Sequence, residues 1–269
     1  MAAPAQHQTI NNPYHPVARR ITDVVRRRAA TTKIILIDDL ENIAQAARSG
    51  VLIDSLYTTE GRDPATIDEA VPDLHEVQIH TLSSAVTRKI FGDEKRSRIF
   101  ALAQSPAPGE LSDFSDSSGD IIVLDGVRLV GNIGAIIRTS AGLNAAAVVL
   151  LDSGLRTVFD RRLIRASRGL VFTLPTVIAP RRDVIHYLHE QQIPVATLAA
   201  DCTEPIEVLQ RVKERMAIVL GSERRGVSEE IGRVADYRCS IAMSDDIESL
   251  NVSVSAGIAL HERAHSRRA

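Results

Sequence analysis

The chain has 269 residues, 44% of them apolar, and a net charge of −2, which is typical of a globular protein with one large or two medium domains. This charge excludes a uniformly basic nucleic-acid binder, and an aromatic content of 3% without tryptophan argues against a broad platform for base stacking. Two cysteines, Cys202 and Cys239, are too few for a disulfide framework or a cysteine-based zinc site. Because no apolar run has the length of a signal peptide or a membrane span, we expect a cytoplasmic protein without membrane association.

The N-terminal residues 1–16 contain three prolines and two adjacent asparagines, and this composition predicts a flexible arm. From Val17 to Ala30, apolar residues at helical spacing alternate with arginines, which predicts a helix. Its arginines have two interpretations that the sequence leaves open, a solvated helix face or a contact with an RNA backbone. Within residues 17–104, the residues that we predict to contact RNA are Arg26, Arg27, Arg28 and Arg88.

Residues 17–104 alternate between strands and helices, which is typical of a small α/β domain. Strands are predicted at Lys33–Asp38, Leu52–Tyr57, His75–His80 and Ile99–Ala103. Helices are predicted at Leu40–Ala47 and Ser83–Phe91. The next segment is rich in proline, serine, glycine and aspartate, so we predict a linker over residues 105–119.

Residues 120–269 form a second predicted domain, in which short apolar strands again alternate with helices. This pattern predicts a mainly parallel sheet covered by helices on both faces. The predicted strands are Ile121–Leu124, Ala146–Leu151, Pro194–Leu198, Ala217–Leu220 and Arg238–Ile241. The predicted helices are Asn132–Ala141, Phe159–Ser167, Asp183–Glu190, Val227–Val234 and Ser253–Arg263.

Three segments of this domain, which we call motifs one to three, carry the candidate chemistry. Motif one runs from Asn132 to Arg138 and opens a helix after a strand. We expect these two residues to share a helix face roughly and to point into a cleft at the carboxyl edge of the sheet. A helix cap followed by a surface arginine explains the same spacing.

Motif two, Gly221–Gly226, lies between a strand and a helix, and its terminal glycines permit tight turns and close approach of a ligand. It lacks the pattern of a phosphate-cradling P-loop. Motif three, Ile241–Ser253, leads into the last helix. Within it Ser249 and Asn251 are typical of residues that cap a helix N-terminus.

An arginine series in the helix Phe159–Ser167 is the fourth feature. Three of its members recur at positions i, i+4 and i+7 of one helical stripe, which could grip phosphates. The alternative is a solvated face that pairs with Asp152 or Asp160. The series, of which we assign the first three to RNA, comprises Arg161, Arg162, Arg165 and Arg168.

In this order the three motifs resemble those of the SPOUT superfamily, more narrowly its ribose 2′-O-methyltransferase branch, over residues 120–265. The segment Asp160–Phe172 and the N-terminal half are similar to the thiostrepton- and nosiheptide-resistance rRNA methyltransferases. The resemblance implies that S-adenosylmethionine donates a methyl group to one adenosine ribose in the GTPase-associated loop of 23S rRNA, which prevents thiopeptide binding. One departure is Glu223-Arg224-Arg225-Gly226, where many relatives carry small residues or an acidic residue followed by small ones. This departure concerns the loop surface rather than the donor contacts.

The resemblance also implies an α/β fold with a deep trefoil knot in the C-terminal domain, a ribosomal-protein-like RNA-binding domain over residues 17–104, and a homodimer. By position, four residues match those whose backbone groups hold the donor: Leu198, Gly221, Ile241 and Leu250. Arg138, Ser249 and Asn251 match the catalytic cluster, and Asn132 and Glu223 support it. Arg168 matches an arginine that reaches the active site of the partner subunit, so both Arg138 and Arg168 are also expected near the donor.

A methyl donor with a sulfonium carbon needs no metal, and the chain has no His-x₃-His or cysteine-pair ligand set. The resemblance makes Arg138 the candidate general base, but a guanidinium is not normally deprotonated in a protein. We therefore expect Arg138 to stabilise the developing alkoxide electrostatically and to orient the ribose or its phosphate. Ser249 and Asn251 would position the reacting atoms.

Three other functions are compatible with parts of the sequence. A non-catalytic ribosomal RNA-binding protein would explain the N-terminal half but leave the three motifs without a role. A Rossmann-type enzyme would require a G-x-G-x-x-G motif after an early strand, which Gly126–Asn132 only loosely approximates. A tRNA 2′-O-ribose methyltransferase of the same superfamily would carry the same three motifs, and only the N-terminal half and the arginine-rich helix favour rRNA.

Overall fold

A computed structural model of the protein describes residues 8–26, 33–61, 71, 74, 77–92, 98–199, 202, 204–244 and 246–266. The chain forms two compact units. The first unit comprises residues 1–107 together with Phe159–Thr173, and the second comprises Pro108–Val158 and Leu174–Ala269. The segment 159–173, which we expected in the C-terminal domain, therefore packs as part of the first unit.

The first unit contains a five-stranded mixed sheet of order β1-β4-β3-β5-β2. Its strands are β1 (Gln8–Ile10), β2 (Ile34–Asp38), β3 (Ile53–Thr59), β4 (Ile79–Leu82) and β5 (Ile99–Gln104). Its helices are α1 (Pro16–Arg26), α2 (Leu40–Arg48), α3 (Ser84–Phe91) and, from the inserted segment, α5 (Arg161–Ala166). A short 3-10 helix at Leu170–Phe172 follows α5. The predicted strands and helices of this half are present, with shifted ends.

The predicted flexible arm of residues 1–16 is wrong for its described part. Gln8–Ile10 is a strand that pairs in parallel with β4, and Pro16 already begins α1. The side chain of Ile10 is buried in the same core as Ile21 of α1 and Phe100 of β5. Burial of this side chain contributes roughly 1.5–3 kcal/mol, which together with the pairing to β4 stabilises the three-residue strand at the sheet edge.

The second unit contains a seven-stranded, entirely parallel sheet of order β10-β12-β9-β11-β6-β7-β8. Its strands are β6 (Ile121–Asp125), β7 (Ala147–Leu151), β8 (Thr176–Ile178), β9 (Val195–Leu198), β10 (Glu204–Pro205), β11 (Ala217–Gly221) and β12 (Tyr237–Ser240). Its helices are α4 (Val130–Gly142), α6 (Arg181–Glu190), α7 (Glu229–Val234) and α8 (Val252–Ser266), with 3-10 helices at Leu111–Phe114 and Ile206–Arg211. The prediction of a mainly parallel sheet is confirmed, and β8 and β10 were not predicted.

Continuous apolar runs explain why this sheet lies at the centre of its unit. All five residues of β6 and of β7 are buried, as a parallel sheet covered on both faces requires. Phe114, inside the predicted linker, has no exposed surface and packs with β6 and β7 in one core cluster. The linker prediction is therefore wrong for residues 111–114, because the polar composition around Phe114 hid one anchoring aromatic residue.

A buried ion pair fixes the last helix to the start of the sheet. The Arg263 guanidinium in α8 donates two hydrogen bonds to the Asp120 carboxylate, both at 3.0 Å, and its side chain is 1% exposed. Further bonds go to the backbone carbonyls of Leu209, Val212 and Glu214. The fork of donors of one arginine thus holds α8 and the segment before β11 against β6.

The topology places the three motifs at one edge of the sheet. β6 and β11 are parallel neighbours, with Asp125 opposite Gly221, and both strands end there. β11 lies between β6 and β9, two strands that precede it in the chain. Loops after the carboxyl ends of such strands form the usual ligand site of open α/β sheets. None of the helices among the described residues is long and apolar enough to cross a bilayer.

Candidate active site

Motif two forms a tight, rigid loop. The Ser222 N–H donates to the Gly226 carbonyl at 3.2 Å, and the Gly226 N–H donates back to the Ser222 carbonyl at 2.8 Å. A side-chain carbon on Gly221 would lie 2.0 Å from the Gly226 carbonyl carbon, and Gly226 has a φ of +63°. Both positions therefore require glycine, for close approach in one case and for a left-handed backbone in the other.

Motif three ends in a capped helix, as predicted for Asn251. Its Oδ1 accepts hydrogen bonds from the backbone N–H and the hydroxyl of Ser253, at 2.9 and 2.6 Å. This contact satisfies a helix N–H that has no partner within the helix. Ser249, the other predicted cap, instead lines a cavity beside motif two.

One amide group joins all three motifs. Asn132 Nδ2 donates to Glu223 Oε1 of motif two at 3.1 Å, and Asn132 Oδ1 accepts from Asn251 Nδ2 of motif three at 3.3 Å. The linked residues are 91 and 119 positions apart in the chain. The expectation that three distant turns come together is confirmed, and Asn132 is the residue at their junction.

The first cavity of this site has a volume of about 350 Å³. Its walls combine apolar side chains with the polar ends of the motif loops, and include all four predicted donor contacts: Leu198, Gly221, Ile241 and Leu250. Within the described part of the chain, Ile241 and Leu250 form no backbone hydrogen bond with another residue. Their peptide groups are therefore available to a ligand. An apolar slot with unpaired backbone groups fits the adenine and ribose of a nucleoside-containing donor.

Arg138 is not part of this cavity in the single chain. Its side chain is exposed on α4, and it forms no ion pair or hydrogen bond with any residue that the structure describes. Six residues turn an α-helix through about 600°, which leaves Asn132 and Arg138 about 120° apart around the axis. The expectation that they share a face is wrong. Asn132 contacts the other motifs, and Arg138 faces outward.

A second cavity of about 620 Å³ lies on the other side of motif two and shares Ser222, Glu223, Gly226 and Val252 with the first. An ion cluster lies in its wall. Arg181 Nη2 is 2.7 Å from both Asp125 Oδ1 and Asp152 Oδ2, and its Nη1 is 3.2 Å from Glu230 Oε2. The hydrogen bond to Asp125 is the main reason why the pKa of Arg181 is raised.

Sequence reasoning missed this ion cluster, which positions the loop after β11. The second oxygen of the buried Asp125 carboxylate accepts the backbone N–H of Ser228 at 2.8 Å. Asp125 follows the predicted strand Ile121–Leu124, and Arg181 precedes the predicted helix Asp183–Glu190, so neither was assigned a role. An aspartate that directly ends an apolar strand was the signal that pointed to a buried partner.

The arginine series lies in the first unit, where every member has an acidic neighbour. Arg161 forms a two-pronged bond to the fully buried Asp38 and lies 5.0 Å from the centre of the Phe91 ring. The other three pairs are Arg162–Asp160 at 2.9 Å, Arg165–Asp39 at 4.0 Å and Arg168–Glu41 at 3.6 Å. Arg161 is therefore a packing residue of this unit, and its contact with RNA stays a prediction.

Arg168 lies outside the set of residues that line the two cavities. Its backbone is left-handed, with a φ of 52°. Gly169 follows with a φ of 74°, and a side-chain carbon there would lie 2.9 Å from the Gln45 Cβ. Close packing of α2 on this glycine fixes the end of α5, so Arg168 is held in an uncommon conformation that is often found at functional sites.

The remaining RNA candidates are surface residues. Arg26 at the end of α1 and Arg88 in α3 are exposed, and neither forms an ion pair with another described residue. Arg27 and Arg28 lie outside the described residues. The exposed charges of Arg26 and Arg88 are therefore free to meet a polyanion.

Comparison with protein families gives two matches that together span most of the chain. Residues 7–117 match the N terminus of thiostrepton-resistance methylases, and residues 120–261 match the SpoU rRNA methylase family. The chain is 42% identical to the 23S rRNA (adenosine(1067)-2′-O)-methyltransferase of Streptomyces laurentii, over 93% of this chain and 92% of the relative. It is 38% identical to the protein of the same name from Streptomyces azureus, over 95% of each chain.

Solved structures share the fold at lower identity. An RNA 2′-O ribose methyltransferase superposes with a TM-score of 0.78 at 23% identity, over 97% of this chain and 99% of the other. The SpoU methyltransferase AviRb from Streptomyces viridochromogenes, solved with AdoMet, gives 0.78 at 18% identity, over 93% of this chain and 98% of the other. These likenesses establish the α/β architecture with its parallel sheet.

Proposed function

Because the chain belongs to the SpoU rRNA methylase family and carries the N-terminal region of thiostrepton-resistance methylases, we propose that it 2′-O-methylates an adenosine of 23S rRNA. The target lies in the GTPase-associated loop, and its methylation confers resistance to thiopeptide antibiotics. The relatives from two Streptomyces species carry the corresponding activity in their names. The observation on which the proposal rests is the junction of three motifs at Asn132 beside a cavity of nucleoside size.

S-adenosylmethionine is the proposed methyl donor, and no metal takes part. The donor supplies an electrophilic methyl carbon on its sulfonium. The apolar wall at Leu198, Ile241 and Leu250 would receive the adenine, and unpaired peptide groups of the last two would hydrogen-bond its polar edge. Gly221 leaves the donor free access to the backbone of motif two.

The acceptor is a ribose hydroxyl, a weak nucleophile that must be oriented and must give its proton to water or to the adjoining phosphate. Ser249 and Asn251 lie at the rim between motifs two and three, where they can hold the hydroxyl at attack distance. Asn132 and Glu223 fix that rim through their hydrogen bond. Arg138, whose charge is unpaired among the described residues, stabilises the developing alkoxide in the complete site.

We place the complete site in a homodimer. Leu129 at the start of α4 is 61% exposed, and Ile247 and Val254 of motif three and α8 are each 50% exposed. Large apolar side chains at this exposure next to a site are typical of a covered surface. In this proposal the second protomer covers them, meets the outward-facing Arg138, and contributes its Arg168 to the site. The insertion of β11 between β6 and β9 supports the deep trefoil knot.

The N-terminal unit is the proposed RNA-binding module, of the ribosomal-protein-like kind. Arg26 and Arg88 are its unpaired exposed cations within the described candidates, and Arg162 and Arg165 remain exposed beside their acidic neighbours. Exposed ion pairs exchange readily for phosphate contacts because they are weak in water. A cytoplasmic location forms part of the proposal, because ribosomal RNA is its substrate.

Methyl transfer from labelled donor to a hairpin that copies the GTPase-associated loop tests the proposal. We expect transfer to the hairpin, none to bulk tRNA, and none to a hairpin with a 2′-deoxy target nucleotide. Transfer to tRNA alone would identify the enzyme as a tRNA methyltransferase. Absence of any heat of binding on titration with S-adenosylmethionine would leave only an RNA-binding protein.

A further inference from the structure

The second cavity contains arginines that the donor site does not use. Arg128, Arg224 and Arg225 line it and are exposed. Arg128 donates its Nε–H to the Asp152 backbone carbonyl at 3.2 Å, which leaves both terminal nitrogens of its guanidinium without a partner among the described residues. The side chains of Arg224 and Arg225 form no ion pair or hydrogen bond within that same part of the chain.

The other charged residues of the lining are one further arginine and three carboxylates. The Arg181 guanidinium contacts Asp125 and Asp152, and the Glu223 carboxylate accepts a hydrogen bond from Asn132. Counted over the lining residues, four arginines against three carboxylates leave one net positive charge, in a chain whose net charge is −2. A concave, positively charged surface concentrates polyanions even when the whole protein is slightly acidic.

The arginines of motif two are held on a loop that does not depend on their side chains. The loop is closed by the reciprocal backbone bonds of Ser222 and Gly226, and the backbone N–H of Arg225 donates to Ser222 Oγ at 3.3 Å. Their guanidinium groups are therefore presented from a fixed backbone, which lowers the entropy lost when they bind. Truncation of either side chain leaves this backbone network intact.

The position of the cavity identifies which anion it meets. Both cavities share Ser222, Glu223, Gly226 and Val252, so an acceptor ribose held against the donor at this shared wall lies beside the second cavity. In RNA the 2′-hydroxyl lies on the carbon next to the one that bears the 3′-oxygen. The 3′-phosphate of the target nucleotide consequently stays within a few bonds of the acceptor oxygen wherever the ribose is held.

We infer that Arg128, Arg224 and Arg225 form a phosphate clamp for the 3′-phosphate of the target nucleotide, and that they thereby position its ribose. The inference rests on the proposed function and adds to it the substrate group that motif two recognises. The three residues act as positioning residues: their charges bind RNA, and they take no part in proton transfer. Arginine suits this task because its fork of donors matches two phosphate oxygens.

Steady-state methylation of the rRNA hairpin with the double variant Arg224→Ala/Arg225→Ala and with Arg128→Ala tests the clamp. We expect the KM for RNA to rise about tenfold or more in the double variant, with donor affinity unchanged in a titration. The slope of log affinity against log salt should become shallower by about 0.7 for the lost phosphate contact. Arg182→Ala is the matched control, because Arg182 is 94% exposed and does not line this cavity.

Hairpins with a neutral methylphosphonate at the 3′ or the 5′ phosphate of the target nucleotide identify the bound group. The 3′ substitution should raise the KM of the wild type and abolish the further effect of the arginine variants, whereas the 5′ substitution should leave the variant effect in place. Variants with wild-type KM and salt slope would overturn the clamp. Abolition of the variant effect by the 5′ substitution alone would overturn the assignment to the 3′-phosphate. A wild-type enzyme inactive on every hairpin would instead refute the proposed function.

Discussion

Replacement of Arg263 by methionine removes the group that fixes α8, and its cost follows from the contacts. The variant removes the guanidinium that pairs with the Asp120 carboxylate, which is 4% exposed, and three backbone carbonyls lose a donor. Loss of one partner of a buried pair costs about 3–5 kcal/mol of the free energy of unfolding, because the remaining charge stays desolvated. For a unit of this size that corresponds to a fall in Tm of roughly 10 °C.

Urea denaturation followed by circular dichroism measures this cost, and Asp120→Asn/Arg263→Met tests its origin. The double variant removes both charges of the buried pair, so we expect it to regain at least about half of the lost stability. Arg233→Ala, which breaks an exposed pair in α7, should stay within about 0.5 kcal/mol of the wild type. An Arg263→Met variant as stable as this control, or a double variant no better than the single one, would refute the reasoning.

Three further predictions concern the motif loop, the thiols and a buried histidine. Gly221→Ala places a side-chain carbon 2.0 Å from the backbone carbonyl carbon of Gly226, so titration with S-adenosylmethionine should detect no binding. The control variant Gly131→Ala adds a carbon that meets open space, and it should bind the donor normally. Burial raises the pKa of Cys239 to about 11, so roughly one Cys239 thiol in a thousand is ionised at pH 8. Mass spectrometry after iodoacetamide treatment of the native protein should therefore find Cys202 labelled first. Equal labelling of the two cysteines would contradict this prediction. Burial chiefly lowers the pKa of His80, so the unfolded chain binds the proton more readily; the free energy of unfolding should fall as the pH drops below about 6.5. The fall should be smaller in His80→Gln, and an unchanged pH dependence in that variant would rule out His80 as its source.

The sequence was sufficient to predict those helices and strands that have a strong local pattern of apolar residues. β6 and β7 are uninterrupted apolar runs, and α4 begins at a motif with regular apolar spacing, so both the parallel sheet and the order of its main helices were predictable. The loop of motif two was predictable in part, because glycines at both of its ends limit its conformation. The donor cavity followed from the resemblance of three motifs rather than from any one of them.

Contacts between residues that are distant in the chain could not be predicted from the sequence. Nothing local in Arg161 distinguishes a phosphate-binding side chain from one that pairs with Asp38, 123 positions away. The strand Gln8–Ile10 has one buried residue and forms only by pairing with β4. The composition of residues 1–16 gives no sign of this pairing and therefore favoured a flexible arm. Arg138 was assigned by family position, and its outward orientation depends on how α4 lies against the sheet.

The late position of β11 in the chain has a consequence for synthesis on the ribosome. β6 and β9 emerge before the strand that separates them in the finished sheet, and α8, which covers that region through Arg263, emerges last. A nascent chain that ends before residue 217 lacks β11 and β12, so one edge of β6 and both edges of β9 are unpaired and are templates for wrong association. Slow translation or truncation within residues 200–216 is expected to yield aggregates rather than a smaller stable domain.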